Sequence, residues 1–501
     1  MSSWHRHLPG SLSAGDVDLA AGRTLPSSWV ALWEAEPQRD VIHDPSEGWL
    51  TGAALLARSE AVARRLAHAG VAQGDRVILS APSSSALVVA HAALLRLGVV
   101  VLPTNGSYQA DEVAHVVADA RPTAAIVSDP AWVPWISAAD PSVLVTTPDV
   151  PLDEGPPVAL DVTSPEAPAL IGYTSGTTGR PKGAVLSHGN LLASVRALEI
   201  AWRWSPDDLL VLALPLFHMH GLGVGLHGTL TVGARAVLLP SFEVDVVLDA
   251  ARDFDASLFF GVPTMYGRLV ESPRADELAR LRLCVSGSAP LPADLHRRFE
   301  AASGQRVLER YGMTETAMLV SNPHDLERKP GTVGFPLPGV EVRLEGEPAE
   351  IQVRGPNVFA GYWERPDANA DSFVDGWFRT GDLGQIDEDG YLAIVGRAKE
   401  LIISGGFNVY PREVEDAVTQ HPAVEECAVV GESDPDWGEA VVAYVVSTSA
   451  VADEEMKDFV GDRLAHYKRP RRTHRVDALP RNALGKVQKH RLAGGAVLPA
   501  D

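Results

Sequence analysis

Apolar residues recur along this chain with two different periods, and the two alternate. Residues 54–70 set Leu55, Val62 and Leu66 on one helical face and stop at Gly70, whereas Val77-Ile78-Leu79 is a short unbroken apolar run of the kind a buried strand shows. The exchange continues: the pattern predicts a helix over 84–97, a strand at Val99-Val100-Val101-Leu102, a helix over 111–120 and a strand at Ala124-Ala125-Ile126-Val127. Strand and helix in alternation imply a parallel sheet covered on both faces. The segment 146–168, rich in Pro, Asp and Glu, reads as a surface connection. Beyond it come strands at 209–214, 256–260 and 281–286 with helices at 244–253 and 293–302, so a second sheet is expected, with ligands beyond the carboxyl ends of its strands. Residues 331–391 shift to short alternating strands, a small β unit, and 401–492 form a closing α/β segment.

Length and composition narrow the class without naming a function. A chain of 501 residues buries a large core and should divide into about three units of ordinary domain size. Its 46% apolar and 22% charged residues describe a soluble globular protein. The net charge of −22 argues against nucleic acid or an anionic membrane as partner, since both want a basic face, but leaves room for one local basic site. Cys284 and Cys427 each sit in an apolar run and are expected buried and reduced. Met1 to Gly10 has no apolar core of signal-peptide length, and the apolar stretch Ala86 to Leu102 is interrupted by His91 and Arg96. No membrane span is expected, and the cytoplasm is the expected address.

One stretch changes the picture. Tyr173 to Gly183 reads YTSGTTGRPKG, which puts four hydroxyls (Thr174, Ser175, Thr177, Thr178), three glycines (Gly176, Gly179, Gly183) and Lys182 between the short strands Ala169-Leu170-Ile171 and Gly183-Ala184-Val185-Leu186. Glycines let backbone N–H groups approach a ligand, hydroxyls add donors, and lysine adds mobile positive charge, which together suit a polyphosphate. A flexible Ser/Thr/Gly surface loop is the plain alternative, and the Pro181-Lys182-Gly183 ending weighs against it. The string lacks the G-x-x-x-x-G-K-[ST] of nucleoside triphosphatases. It resembles the phosphate loop of the adenylate-forming superfamily: acyl-CoA synthetases, luciferases and peptide-synthetase adenylation domains.

That resemblance implies an α/β fold: a large N-terminal domain, 1–396, of two α/β sheet subdomains plus a small β subdomain, a hinge at 397–400, and a mobile α+β domain over 401–501. It implies ATP, Mg²⁺ and coenzyme A as co-reactants. Tyr311-Gly312-Met313-Thr314-Glu315 would stack adenine and, through Glu315 with Thr174, hold Mg²⁺. Ser288, Ala289, Pro290, Glu309 and Arg310 would complete the ATP site with Lys182 and the loop. Asp382, in Trp377-Phe378-Arg379-Thr380-Gly381-Asp382, matches the ribose-binding carboxylate, Arg397 a nucleotide-contacting arginine and Lys399 the hinge. Ser404, Gly405 and Gly406 would line the pantetheine tunnel. Lys486, after Pro480-Arg481-Asn482-Ala483-Leu484-Gly485, matches the lysine that bridges the acid and the α-phosphate, and the implied catalytic set is Lys486, Lys182, Glu315 and His218. Lys468, Arg469, Arg471 and Arg472 form a basic cluster that either meets the 3′-phosphate of CoA, with Lys468 and Arg471 foremost, or is a solvated face.

The acid is the remaining question. The resemblance puts an acyl pocket among His218-Met219-His220, Gly261 to Tyr266, Ser286 to Pro290 and the turn 310–313, with Met313 and Ser288 on its wall. Arg268 and Arg310 fall inside these blocks, and guanidinium groups in an apolar pocket are costly unless an anion pairs with them. The blocks FFGVPTMYGRL, SGSAPL and ERYGMTET resemble malonyl/methylmalonyl-CoA synthetases, which implies a small diacid, malonate or methylmalonate. Met219 is bulkier than its counterpart in many related sequences and would tighten the pocket. A medium- or long-chain acyl-CoA synthetase and a binding protein without catalysis stand as rivals. Gly223 to Gly228 fits G-x-G-x-x-G, which raises a nicotinamide-dependent oxidoreductase, but it follows His220 inside a Gly/Leu-rich helical stretch rather than a strand-to-helix turn. His218 and His220 have no Cys or acidic partner at metal-ligand spacing. Oligomeric state is not legible.

Overall fold

Short apolar runs become strands wherever both of their faces are covered. In the computed structural model, which describes residues 3–19, 22–174, 181–482, 485–493 and 496–497, Arg76–Ser80 lies parallel to Val100–Pro103 and to Ala124–Val127, with Val77 opposite both Val101 and Ala124. Helices Gly52–His68, Ser85–Arg96 and Ala110–Ala120 cover this sheet, each beginning close to where its apolar period begins. Ser84 caps the second of these by accepting the N–H of Leu87, which satisfies one of the orphan donors of its first turn. Ile78, Leu102, Val116, Trp132 and Ile171 form the core on one side.

The parallel expectation holds for the middle of this seven-stranded sheet and fails at its edge. Pro168–Thr174 joins Val100–Pro103 in parallel, then turns back antiparallel into Lys182–Ser187, with Gly361–Tyr362 antiparallel beyond it. The cause is chain length. A parallel return needs a crossover of a dozen residues or more, and too few lie between Thr174 and Lys182, so the two strands pair antiparallel.

The second sheet has nine strands. Its parallel centre runs Leu308–Tyr311, Leu283–Ser286, Leu258–Gly261, Leu209–Leu212, Arg235–Leu238 and Asp40–Asp44. The last of these corrects the expectation that this sheet is built only from residues beyond the loop: Ile42 and His43 pair with Ala236 and Val237. Asp40–Asp44 and Arg235–Leu238 are not among the strands the pattern predicts, and periodicity in any case says nothing of a strand's neighbour. Val211, Phe259, Tyr266, Cys284 and Phe299 pack in the core behind this sheet.

By internal contact the chain divides into two compact units, Met1–Val342 with Val353–Phe378, and Arg343–Gln352 with Arg379–Asp501. The larger is the mixed α/β N-terminal body. The smaller contains a mostly antiparallel sheet of Phe407–Val409, Ile402–Ser404, Gly438–Ser447 and Val424–Asp434, with Arg472–Arg475 parallel to Gly438–Ser447. Helices Pro411–Val418 and Asp453–Gly461 bury Val414 and Met456 against Ile402, Val429 and Val441. Both cysteines are free; Cys284 is buried, and Cys427, expected buried, is only half-buried. Among the described residues no helix is long and apolar enough to cross a membrane.

Candidate active site

The hairpin register fixes the ends of the phosphate-loop stretch. Thr174 stands opposite Lys182 and Tyr173 opposite Gly183, and the Thr174 hydroxyl donates to the Lys182 carbonyl at 3.4 Å. Ser175, Gly176, Thr177, Thr178 and Gly179 lie outside the described residues. An added Cβ on Gly172 would come within 2.4 Å of Thr314 Cγ2, so the entry strand is packed directly on the turn that carries Glu315. Glu315 is buried, and its Oε1 accepts the Tyr362 hydroxyl at 3.0 Å. The Lys182 ammonium lies 5.2 Å from the centroid of the same Tyr362 ring. Thr174, Lys182, Thr314 and Glu315, distant in sequence, are thus brought together.

The strand Leu308–Tyr311 delivers the next group. Its successor Gly312 has no room for a side chain, because a Cβ there would sit 2.1 Å from the Ala317 carbonyl oxygen. Tyr311, Gly312, Met313 and Thr314 are half-buried. Glu309 points into the protein, where its Oε1 accepts the Leu291 N–H at 2.9 Å and so anchors the segment that follows Ser288, Ala289 and Pro290. Ser288 holds φ +69°, the left-handed region that a non-glycine residue enters only under constraint, while Ala289 is half-buried and Pro290 exposed.

Arg310, next along the strand, points the other way and is also buried. Its Nε and Nη2 are enclosed without a hydrogen-bond partner. Gly287 makes its slot, since a Cβ there would stand 2.3 Å from Arg310 Cζ. Burial pushes the guanidinium down to about 9. Burial and then the charge of Arg310 hold His218 neutral, with a pKa near 4, and push His220 well below the usual histidine range. The His220 N–H donates to His218 Nδ1 at 3.2 Å, and Ser288 Oγ stands 3.4 Å from His220 Nδ1. Met219 is buried with its Sδ over Gly223, 2.1 Å from where a Cβ would be. The two arginines differ in burial: Arg310 is enclosed, whereas Arg268 is exposed on the helix Pro263–Val270, its guanidinium 5.0 Å from the centroid of Phe242. The amphipathic period explains the difference. Pro263, Tyr266 and Leu269 take the buried face of that helix, and position 268 falls outside it.

The G-x-G-x-x-G match lies in a π-helical segment, His220–Leu226, continuing into the helix His227–Val232. Its glycines serve close packing: a Cβ on Gly225 would meet Leu212, and one on Gly228 would meet the Trp204 ring.

Asp382, Arg397, Lys399 and Lys486 gather in the smaller unit. Trp377–Ile386 pairs antiparallel with Leu392–Arg397, which sets buried Asp382 opposite Arg397, and Arg397 Nε meets Asp382 Oδ1 at 2.8 Å. Lys486 is tied to Asn482: its N–H donates to Asn482 Oδ1 at 3.0 Å, and the Asn482 N–H donates back to its carbonyl at 2.9 Å. Burial and then the Arg397 charge lower the Lys486 pKa, against the opposite pull of Glu400 and Asp382. Ser404, Gly405 and Gly406 form the hairpin turn between Ile402–Ser404 and Phe407–Val409, with Gly405 and Gly406 at φ +59° and +81° and Ser404 Oγ buried without a partner. The basic cluster is not four free cations. Lys468 is held by Glu413 at 2.6 Å and Arg472 by Glu432 at 3.2 Å, whereas the Arg471 guanidinium lies 3.5 Å from the centroid of Trp437.

Sequence reading missed Tyr362 and Trp437. Neither sits in a glycine-rich or charged string, and only the fold shows that each touches a residue already singled out. Among the described residues no group of three or more His, Cys, Asp or Glu could hold a metal ion. Glu315 and Thr174 offer hard oxygen donors, which fits Mg²⁺, an ion that keeps few protein ligands and shares substrate phosphates.

Residues 30–363 match the AMP-binding enzyme family, and residues 413–486 match the AMP-binding enzyme C-terminal domain. A feruloyl-CoA synthase of Amycolatopsis sp is 38% identical over 461 residues, spanning 88% of this chain and 92% of that protein. A malonate–CoA ligase of Arabidopsis thaliana is 40% identical over 365 residues, 65% of this chain and 60% of that protein. The crystal structure of ATP-bound MatB from Rhodopseudomonas palustris superposes with a TM-score of 0.88 at 40% identity, covering 93% of this chain and 97% of that one.

Proposed function

The chain belongs to the AMP-binding enzyme family, and on that premise we propose that it is an AMP-forming acid–CoA ligase whose acid carries a second anionic group, malonate or methylmalonate being favoured. In the reaction a carboxylate oxygen of the acid attacks the α-phosphorus of ATP, the bond to the β-phosphate breaks, and pyrophosphate leaves. The CoA sulfur then attacks the acyl carbon and AMP departs. Relatives named for ferulate and for malonate match about equally well, so the choice of acid rests on this chain's own residues.

One observation carries it. Arg310 is a buried cation whose Nε and Nη2 have no partner, flanked by histidines held neutral. An uncompensated buried charge costs several kcal/mol, on the order of the whole margin of folding stability, unless a ligand supplies the counter-charge. A far carboxylate would do so through a bidentate pair. A fatty tail would leave the cost standing.

The other residues take roles consistent with that chemistry. Lys182 and Lys486 offset negative charge on the phosphates, and Mg²⁺, when bound at Glu315 and Thr174, would add to that neutralisation. Asp382 grips ribose hydroxyls, Tyr311 stacks adenine, and Ser288 with His218 and Met219 shapes the acyl wall. Lys399 is the pivot between half-reactions. Arg471 on Trp437, beside the Ser404–Gly406 turn, offers CoA a cationic face. The test is product identity: incubation with malonate, ATP, Mg²⁺ and CoA should yield AMP, pyrophosphate and malonyl-CoA in equal amounts. ATP binding without pyrophosphate release for any acid would leave a binding protein instead.

A further inference from the structure

We propose that Tyr362 is a positioning residue that holds the two charged groups of the phosphate site in working order, its hydroxyl orienting the Glu315 carboxylate toward a metal ion and its ring keeping the Lys182 ammonium available for phosphate. The inference rests on the ligase reading and deepens it. Its basis is that one side chain touches both groups: the hydroxyl donates to Glu315 Oε1 at 3.0 Å, and Lys182 Nζ lies 5.2 Å from the ring centroid.

The surrounding backbone makes that double contact hard to avoid. Tyr362 pairs with Ala184 and Gly361 with Val185, so the segment is stitched to the strand that Lys182 begins. The Asn369 side chain clamps it from outside, accepting the Tyr362 N–H at 2.6 Å and donating to the Tyr362 carbonyl at 3.1 Å. Gly361, at φ +151°, admits that clamp; a Cβ there would come within 2.8 Å of the Asn369 amide. Phe359 meets the Tyr362 ring edge-on at 4.9 Å, and its own N–H donates to the Glu315 carbonyl at 2.9 Å. The ring is therefore fixed from the lysine strand on one side and the Glu315 turn on the other.

The chemistry follows from placing a neutral, polarised ring against two opposite charges. A carboxylate that accepts a phenolic proton on one oxygen keeps the other for a metal, in a set direction, which is how outer contacts tune a metal ligand. A ring face attracts an ammonium weakly enough to give it up when phosphate arrives. Without the ring, Lys182 and Glu315 can pair with each other and mask the two groups that the polyphosphate and its metal need.

Titration calorimetry of the full chain with ATP tests this, once with MgCl₂ and once with EDTA, using Tyr362→Phe, Tyr362→Leu and Glu315→Gln. Tyr362→Phe should match the wild type in EDTA and bind ATP about tenfold or more weakly with MgCl₂. Tyr362→Leu should weaken binding under both conditions. In the Glu315→Gln background Tyr362→Phe should cost nothing further, because the carboxylate it orients is gone. An equal loss for Tyr362→Phe with and without Mg²⁺, the pattern of a packing role, overturns the proposal, and so does wild-type affinity in MgCl₂. A wild-type chain that binds ATP under neither condition would overturn the ligase reading itself.

Discussion

A buried guanidinium with two nitrogens unpaired is stable only if something else in the protein tolerates its cost, and Arg310 makes that cost measurable. Replacing a buried charge by an apolar side chain of similar size is often neutral or stabilising, by about 1–4 kcal/mol. Arg310→Leu is accordingly expected to raise the unfolding temperature while lowering malonate-dependent pyrophosphate release by two orders of magnitude or more. A variant that is both less stable and equally active would mean that Arg310 has a protein partner in solution. Gly287→Ala probes the same group from the other side: with a Cβ 2.3 Å from Arg310 Cζ, the guanidinium must leave its slot, and malonate turnover should fall much as in Arg310→Leu. Ser288→Gly relaxes a residue held at φ +69° and should gain up to about 1 kcal/mol in a urea titration. It removes the hydroxyl 3.4 Å from His220, so KM for the acid should rise.

Elements with a single apolar face were legible in the chain. The helix expected at 244–253 is the helix Val244–Asp253, because Val247, Leu248 and Ala251 mark one buried face and its other face is charged. The helix His188–Trp202 escaped the same reading because it is buried nearly all round, from Leu191 and Leu192 through Val195 to Ala201 and Trp202, and shows no polar stripe to set its period. The strands near 77–79, 99–102 and 124–127 were legible as short apolar runs, whereas Asp40–Asp44, Leu144–Thr146 and Arg235–Leu238 were not read, and periodicity names no strand's partner. Motifs singled out Lys182 and Glu315 as candidates, but that Tyr362 touches both depended on the fold, and the exposure of Arg268 depended on helix phase. The π-helical segment His220–Leu226 makes a further test at this scale. A Cβ on Gly221 would lie 2.2 Å from the Pro215 carbonyl oxygen, a backbone atom that cannot step aside. Gly221→Ala should destabilise the chain by about 1–3 kcal/mol in denaturant unfolding, the usual range for overpacking.

Across the whole molecule, buried neutral histidines make stability fall in acid, alongside carboxylates such as Asp208 that are held below their usual range. Burial, the leading cause in each, holds His7 and His188 near 4 and His91 near 3, against 6.5 for the free side chain. These side chains stay neutral in the fold, while the unfolded chain takes up protons below pH 6.5. Their contribution is therefore complete above pH 6.5 and is lost as pH falls toward 4, at about 1.4 kcal/mol per pH unit for each histidine. Urea midpoints at pH 7, 5.5 and 4.5 should drop in that order, and a flat series would place these histidines in contact with solvent. On the proposed chemistry Lys486→Ala should abolish pyrophosphate release yet largely spare thioester formation from supplied malonyl-adenylate, and equal loss of both steps would remove it from the adenylation chemistry. The reading of an anionic second group on the acid comes down to one comparison, the ratio of kcat/KM for malonate to that for octanoate, measured by pyrophosphate release in the wild type and in Arg310→Leu. The ratio should lie far above one in the wild type and collapse in the variant; a wild-type preference for octanoate, or a ratio that Arg310→Leu leaves unchanged, would contradict it.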